Sequence, residues 1–336
     1  MIRRYSRRAF VGSLAALAAS RALVFKLQSA HAQQQPTSPR RVGVLLVLLS
    51  TESKEAEAFR QGLRDAGYAE GHEVVIEWRS AGGDYARVPA LVADLVQRKV
   101  EVIVVISTVA AQAAKRATSA IPIVMAVVAD PVGSGLVANL AHPGGNVTGL
   151  STMTSELSAK RLQLLKEAVP GVTRVAVLWN PATPFHTKVV EDLKAVAPSL
   201  SIEVNFVDAR APEEFGPAFS AVSRAHAQAL YVIDDPLFIT HRMTLLKLAA
   251  KARLPVISGE KPFADAGGLI SYGTNLGDLL RRSAGYVDTI LKGAKPGDLP
   301  IEQPIKFELI VNLKAAKALG ITIPESILLQ ADEVIR

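Results

Sequence analysis

Asp130 and Asp235 each close an apolar run and each precede a proline. A carboxylate placed there can accept hydrogen bonds from a protonated amine, and the same dipeptide also opens turns. Asp235 reads as the ligand-facing member and Asp130 as the structural one. Ser50 with Thr51, and Ser107 with Thr108, also follow apolar runs and precede helical patterns. Hydroxyls beside the free N–H groups of a helix start suit a carboxylate, assisted by a helix dipole worth about 0.3–1 kcal/mol. Plain N-capping is the other use of such residues. Asn180, between Trp179 and Pro181, ends a run in the second half of the chain and either meets a ligand or forms a turn. Glu260 and Tyr272 stand at later run ends, where a carboxylate lines a cleft and a ring stacks on a planar ligand. An exposed Glu and a core Tyr are the alternatives for that pair.

Other chemistries find no support in the residues. There is no cysteine, which excludes disulfides, thiolate metal sites and a cysteine nucleophile. The histidines His31, His72, His142, His186, His226 and His241 show no His-x-x-x-His pairing, so surface or hydrogen-bonded roles are expected and metal ligation is not. Gly133-Ser134-Gly135 lacks the rest of a dinucleotide fingerprint. No Gly-x-Ser-x-Gly elbow and no Gly-x-x-x-x-Gly-Lys-Ser/Thr loop occurs. Neither a cofactor nor an enzymatic activity is expected, and a hydrolase, the rival from another class, would need a nucleophile, base and oxyanion site.

The elements that position these residues are legible from apolar periodicity. Val42–Leu49, Val74–Trp78, Val102–Ile106 and Ile123–Val128 are unalternated apolar runs, the pattern of strands buried on both faces in a parallel sheet. Between them Ala56, Phe59, Leu63 and Ala66, then Val88, Leu91, Val92 and Leu95, recur at helical spacing. The rhythm restarts at Val172–Trp179 and continues through Ile202–Val207, Ala229–Ile233 and Leu254–Ser258. The predicted fold class is therefore α/β, with two doubly wound parallel-sheet lobes joined by a multi-crossing hinge. Lobe 1 is expected over 41–152, with 269–303 returning to it, and lobe 2 over 153–268, with 304–336 returning to it. Ligands in open α/β sheets bind beyond the carboxyl ends of the strands, so two facing lobes make a cleft.

The N-terminus carries an export signature. Ser6-Arg7-Arg8-Ala9-Phe10-Val11 has the form of a twin-arginine motif, Val11–Phe25 is apolar, and Ala30-His31-Ala32 offers small residues to a signal peptidase. A signal peptide over 1–32 cleaved after Ala32, a linker over 33–40 and a periplasmic location are expected. Residues 1–32 hold six basic and no acidic side chains, so their loss takes the net charge from +7 to +1. That removes the electrostatic case for a nucleic-acid partner.

Several motifs in order resemble the ABC-transporter substrate-binding family that includes the tryptophan-binding protein of streptococci. They are Phe59-Arg60-Gln61-Gly62-Leu63, Ala129-Asp130-Pro131-Val132-Gly133, Pro143-Gly144-Gly145-Asn146-Val147-Thr148-Gly149, Leu291-Lys292-Gly293, Asn312-Leu313-Lys314-Ala315-Ala316 and Ala331-Asp332-Glu333-Val334-Ile335. The resemblance implies a type I periplasmic-binding-protein fold with three hinge crossings. It also implies a receptor that passes a small solute, an amino acid and in some members an aromatic one, to a membrane ABC permease with its separate ATPase, and a monomer is expected. A sensory partner of a membrane receptor would use the same lobes.

Overall fold

The computed structural model describes residues 38–336, apart from 153, 155, 156 and 184. The expected signal peptide and residues 33–37 of the expected linker lie outside that range.

In the first half, β1 (Arg40–Leu46), α1 (Lys54–Asp65), β2 (Val74–Ser80), α2 (Val88–Gln97), β3 (Val102–Ile106), α3 (Thr108–Ala117), β4 (Ile123–Val128) and β5 (Val147–Ser151) follow one another. The strands form a parallel sheet in the order β2-β1-β3-β4-β5. All residues of β3 are buried, because helices cover both sheet faces, and the edge strand β5 is buried as well. Phe59 and Leu63 of α1 pack on one face, and Val92 and Leu95 of α2 with Ala110 and Ala114 of α3 pack on the other.

The second lobe is built from α4 (Ser158–Ala168), β6 (Arg174–Trp179), α5 (His186–Val196), β7 (Glu203–Asp208), α6 (Phe215–Arg224), β8 (Ala229–Val232), α7 (Pro236–Thr240), α8 (Arg242–Lys251), β9 (Val256–Ser258), α9 (Lys261–Asp265) and β10 (Ile270–Thr274). The chain then continues through α10 (Leu276–Leu291), β11 (Phe307–Asn312), α11 (Leu313–Leu319), α12 (Glu325–Leu328) and β12 (Glu333–Ile335). The second sheet has the order β12-β11-β10-β9-β8-β6-β7.

The return at residue 269 is displaced from the sequence expectation. Strand β10 pairs in parallel with β9 and stays in the second sheet, where Leu269 and Ile270 are buried in that lobe's core. The chain crosses only after Thr274, and α10 then buries Leu279, Leu280, Ala284 and Val287 against the cluster containing Phe59 and Leu63. The second sheet is also not wholly parallel, since β11 runs antiparallel to β10. Its direction follows from the path: the chain leaves the lobe at the carboxyl end of β10 and re-enters at that same end, so β11 must run back.

Three crossings thus join the lobes, and they are tied together. The Thr274 hydroxyl donates to the Thr152 carbonyl at 2.9 Å, linking the first and second. Ser151 N–H donates to the Glu302 carbonyl at 2.9 Å and Glu302 N–H to the Gly149 carbonyl at 3.0 Å, so the third runs along the edge of β5.

Candidate functional site

In the second lobe the strand ends carry a buried polar network. Asp234, just after β8, is held by Arg161 of α4, Nη2 to Oδ2 at 3.0 Å, with Arg161 only 2% exposed. Its other oxygen accepts Gly259 N–H at 2.8 Å. Arg161 Nε donates to the Tyr272 carbonyl at 2.7 Å, while Arg161 Nη1 and the Tyr231 hydroxyl are buried without hydrogen-bond partners. His186 Nδ1 accepts Asn180 N–H at 3.0 Å. The ring proton therefore lies on Nε2, which donates to the Asp234 carbonyl at 3.1 Å. Burial holds the His186 pKa below its ordinary value, with the neighbouring Asp235 pulling the other way.

Asp235 caps α7. Its Oδ1 accepts Leu237 N–H at 2.8 Å, its Oδ2 accepts the Thr183 hydroxyl at 2.6 Å, and it is 3% exposed. Asn180 Oδ1 similarly accepts Ala182 N–H at 3.0 Å. Both residues thus serve as turn and cap acceptors. Glu260 differs: its N–H donates to the Ser258 hydroxyl, and it is half-buried. Burial, reinforced by Asp234 and Asp235, pushes the Glu260 pKa up to about 8 against the opposing pull of Arg161 and Arg242. The Tyr272 ring packs near Phe307, centroids 6.2 Å apart, against the second lobe's core.

The first lobe presents its own strand ends. Ser107 has φ 147° and ψ 157° and caps α3, its hydroxyl accepting Ala110 N–H at 3.1 Å. For a residue other than glycine that conformation costs on the order of 1–3 kcal/mol and is typical of functional positions. Thr108, half-buried, opens the helix. Ser50 is exposed and Thr51 half-buried, but neither caps α1; Ser53 does, accepting Ala56 N–H at 3.2 Å. Asp130 closes its own turn by accepting Gly133 N–H at 2.8 Å.

Tyr85 belongs to the first lobe, whose core it packs against. It follows the Gly82-Gly83-Asp84 loop beyond β2 of the first lobe, and its hydroxyl is buried without a partner. Burial raises its pKa, and the nearby carboxylates of Glu260 and Asp235, both from the second lobe, raise it further. Gly83 lies opposite Thr240, and Ala129 packs on the second lobe's core. Sequence reasoning did not single out Tyr85, Arg161, Asp234 or Thr183. An arginine beside the apolar stripe Leu162–Leu165 was the signal for a buried partner, and an aromatic ring in a glycine-rich loop at a strand end was the signal for Tyr85. Among the described residues no group of three or more His, Cys, Asp or Glu is arranged to hold a metal ion. No helix among them is long and apolar enough to cross a membrane.

The chain is 31% identical over 266 residues to a tyrosine-binding protein of Clostridioides difficile, spanning 79% of this chain and 76% of that one. It superposes on the ABC domain of Streptococcus pneumoniae in complex with L-Trp with a TM-score of 0.79 at 28% identity, covering 89% of this chain and all of that one. Against the ligand-free, open structure of a substrate-binding protein with adhesive properties from Clostridium difficile the TM-score is 0.69, also at 28% identity, over 88% and 99% of the chains. Residues 42–335 match the ABC transporter substrate binding protein family, to which this chain belongs, with the two α/β lobes of the type I periplasmic-binding-protein fold.

Proposed function

We propose that the protein is the periplasmic solute receptor of an ABC importer, that it binds an amino acid with an aromatic side chain in the interlobe cleft, and that it hands this solute to a membrane permease. What carries the choice of solute is that a relative at 31% identity is a tyrosine-binding protein, and a solved structure at 28% identity is a complex with L-Trp. The first lobe offers Ser50, Thr51, Ser107 and Thr108 to the solute carboxylate, and the second offers Glu260 to its amine, with Asn180 and Asp235 shaping the wall beside it as turn and cap acceptors. Closure follows from geometry: only apposed lobes put both walls on one solute, so ligand favours the closed form. Export through the twin-arginine leader with cleavage after Ala32 delivers the folded receptor, and an Arg7→Lys, Arg8→Lys pair is expected to leave precursor in the cytoplasm.

Thermal unfolding in the presence of amino acids, sugars, purines and aromatic acids tests the solute. A ligand at a hundred times its Kd stabilises by about 2.7 kcal/mol, so L-tyrosine or L-tryptophan should raise Tm by several degrees. A shift only with sugars or purines would refute the amino-acid assignment.

A further inference from the structure

The loop that leaves β1 and opens α1 carries Ser50 and Thr51, and one side chain of α1 holds it from behind. Arg60 Nη1 donates to the Thr51 carbonyl at 2.9 Å, while the Ser50 carbonyl accepts Ser53 N–H at 3.2 Å. The Thr51 hydroxyl is turned to Glu52, so the way this loop meets a solute depends on where its backbone is set. The Arg60 side chain is only 20% exposed and is fixed on two further sides. Its Nε donates to Glu70 Oε2 at 3.0 Å, and its Cζ lies 4.5 Å from the centre of the Trp78 ring, within the range at which a cation is drawn to a ring face. Trp78 closes the circuit: its Nε1 donates to the other Glu70 oxygen at 3.1 Å, and Phe59 meets the ring edge-on with centroids 6.1 Å apart. A helix, the turn after it and the edge strand β2 thus lock one guanidinium, and its remaining contact ends on the loop. Arg64, one turn further along α1, shows what an arginine on this helix does otherwise: its side-chain hydrogen bonds all go to Glu57 and Gln61.

We propose that Arg60 is a positioning residue of the solute site, fixing the Ser50–Thr51 loop through the Thr51 carbonyl, and that Trp78, stacked on the same guanidinium, senses a solute held there. The assignment rests on the solute carboxylate meeting that loop. Arg60 itself does not contact the solute. A loop already held in its bound shape costs less to order on binding, so what Arg60 supplies is affinity. The stack supplies the signal: a solute that draws on the loop shifts the Thr51 carbonyl, the guanidinium follows its acceptor, and the indole feels the cation move.

Calorimetry with L-tyrosine and L-tryptophan and the emission of Trp78 test the two halves together. Arg60→Met keeps the apolar stem over Trp78 and is expected to weaken binding of both amino acids about tenfold, the worth of a hydrogen bond from a charged group. Arg60→Lys keeps the charge but lacks the fork that reaches Thr51 and Glu70 at once, and is expected to fall between; it carries the comparison alone if the methionine variant does not fold. Arg64→Met removes an arginine and its ion pair from the same helix and is expected to leave Kd unchanged. In a Trp179→Phe background Trp78 is the sole tryptophan of the chain. Excited at the red edge of the tryptophan band, where tyrosine does not absorb, its emission is expected to change on adding L-tyrosine and to stay still once Arg60→Met is added. Full affinity in the Arg60 variants, equal losses in Arg60→Met and Arg64→Met, or a Trp78 emission that bound L-tyrosine does not move overturns the assignment while leaving the amino-acid receptor standing. If neither amino acid binds the wild type, the amino-acid reading fails and takes the assignment with it.

Discussion

Arg161 and Asp234 form a 3.0 Å ion pair beneath the cleft, joining the first helix of the second lobe to the end of β8. The same guanidinium holds the Tyr272 carbonyl of β10, the last strand before the chain leaves that lobe. One side chain therefore fastens the entry and exit of the lobe to its binding wall. Replacing it leaves Asp234 buried without its cation, a loss of about 3–5 kcal/mol. Arg161→Met is expected to lower the urea midpoint accordingly, and Arg161→Lys to recover only part, because an ammonium lacks the fork that reaches both acceptors. Gly259→Ala should act in the same direction, since a Cβ there runs into both the guanidinium and the Asp234 carboxylate. A midpoint unmoved by Arg161→Met would mean that the pair contributes nothing to the lobe.

The empty protein is expected to lose stability as pH rises from about 6.5 to about 8. Native Glu260, with its pKa near 8, still holds a proton over that range, whereas the unfolded chain, with an ordinary value of 4.5, has already lost it. Each step up in pH then favours unfolding. His186 works in the opposite sense and lower: burial depresses its pKa from 6.5, so its contribution is complete above 6.5 and is lost as the pH falls through the native value. Tm measured across this range should fall in the wild type and stay level in Glu260→Gln. A level wild-type curve would show that Glu260 is already ionised in the empty cleft.

The strands Val102–Ile106 and Ile123–Val128 were readable residue for residue, because burial on two faces writes itself into a continuous apolar run. Strand β5 was not: Thr148 and Gly149 interrupt its pattern, although all five of its residues are buried. Its burial depends on the third crossing, which lies 151 residues away in sequence, with the Thr148 hydroxyl donating to the Leu299 carbonyl at 2.8 Å. The candidate site divides in the same manner. Strand-end hydroxyls and acids could be named one by one, but whether a carboxylate is satisfied within its own turn, as in Asp130, or also by a distant hydroxyl, as in Asp235 with Thr183, depends on partners that local sequence does not display.

Gly62 of α1 marks a close helix crossing, because a Cβ there would meet the backbone carbonyl of Arg281 and the methyl of Ala284 on α10. Gly62→Ala is expected to push α10 off the first sheet and destabilise by about 1–3 kcal/mol through overpacking. It should also strain the nearby Arg281–Asp65 pair, 2.6 Å apart. Adding Ala284→Gly removes the methyl contact but not the carbonyl one, so the double variant should recover only part of the lost Tm. Full recovery would place the close approach at the side chain alone.

Gly149 has φ 128°, and a Cβ on it would be driven into the Met125 backbone carbonyl of β4. Gly149→Ala therefore combines an unfavourable φ with a collision inside the sheet, roughly 3 kcal/mol or more. The damage should reach the hinge, since Glu302 N–H bonds to the Gly149 carbonyl and the Glu302 carbonyl receives Ser151 N–H. Hydrogen exchange separates local from general loss: amides of Ser151 and Glu302 should open faster in the variant, while those of β3 keep their protection. Unchanged exchange at Glu302 would mean that the third crossing is anchored chiefly by the Tyr286 hydroxyl, which donates to the Pro300 carbonyl at 2.6 Å, and that β5 follows the crossing instead of holding it.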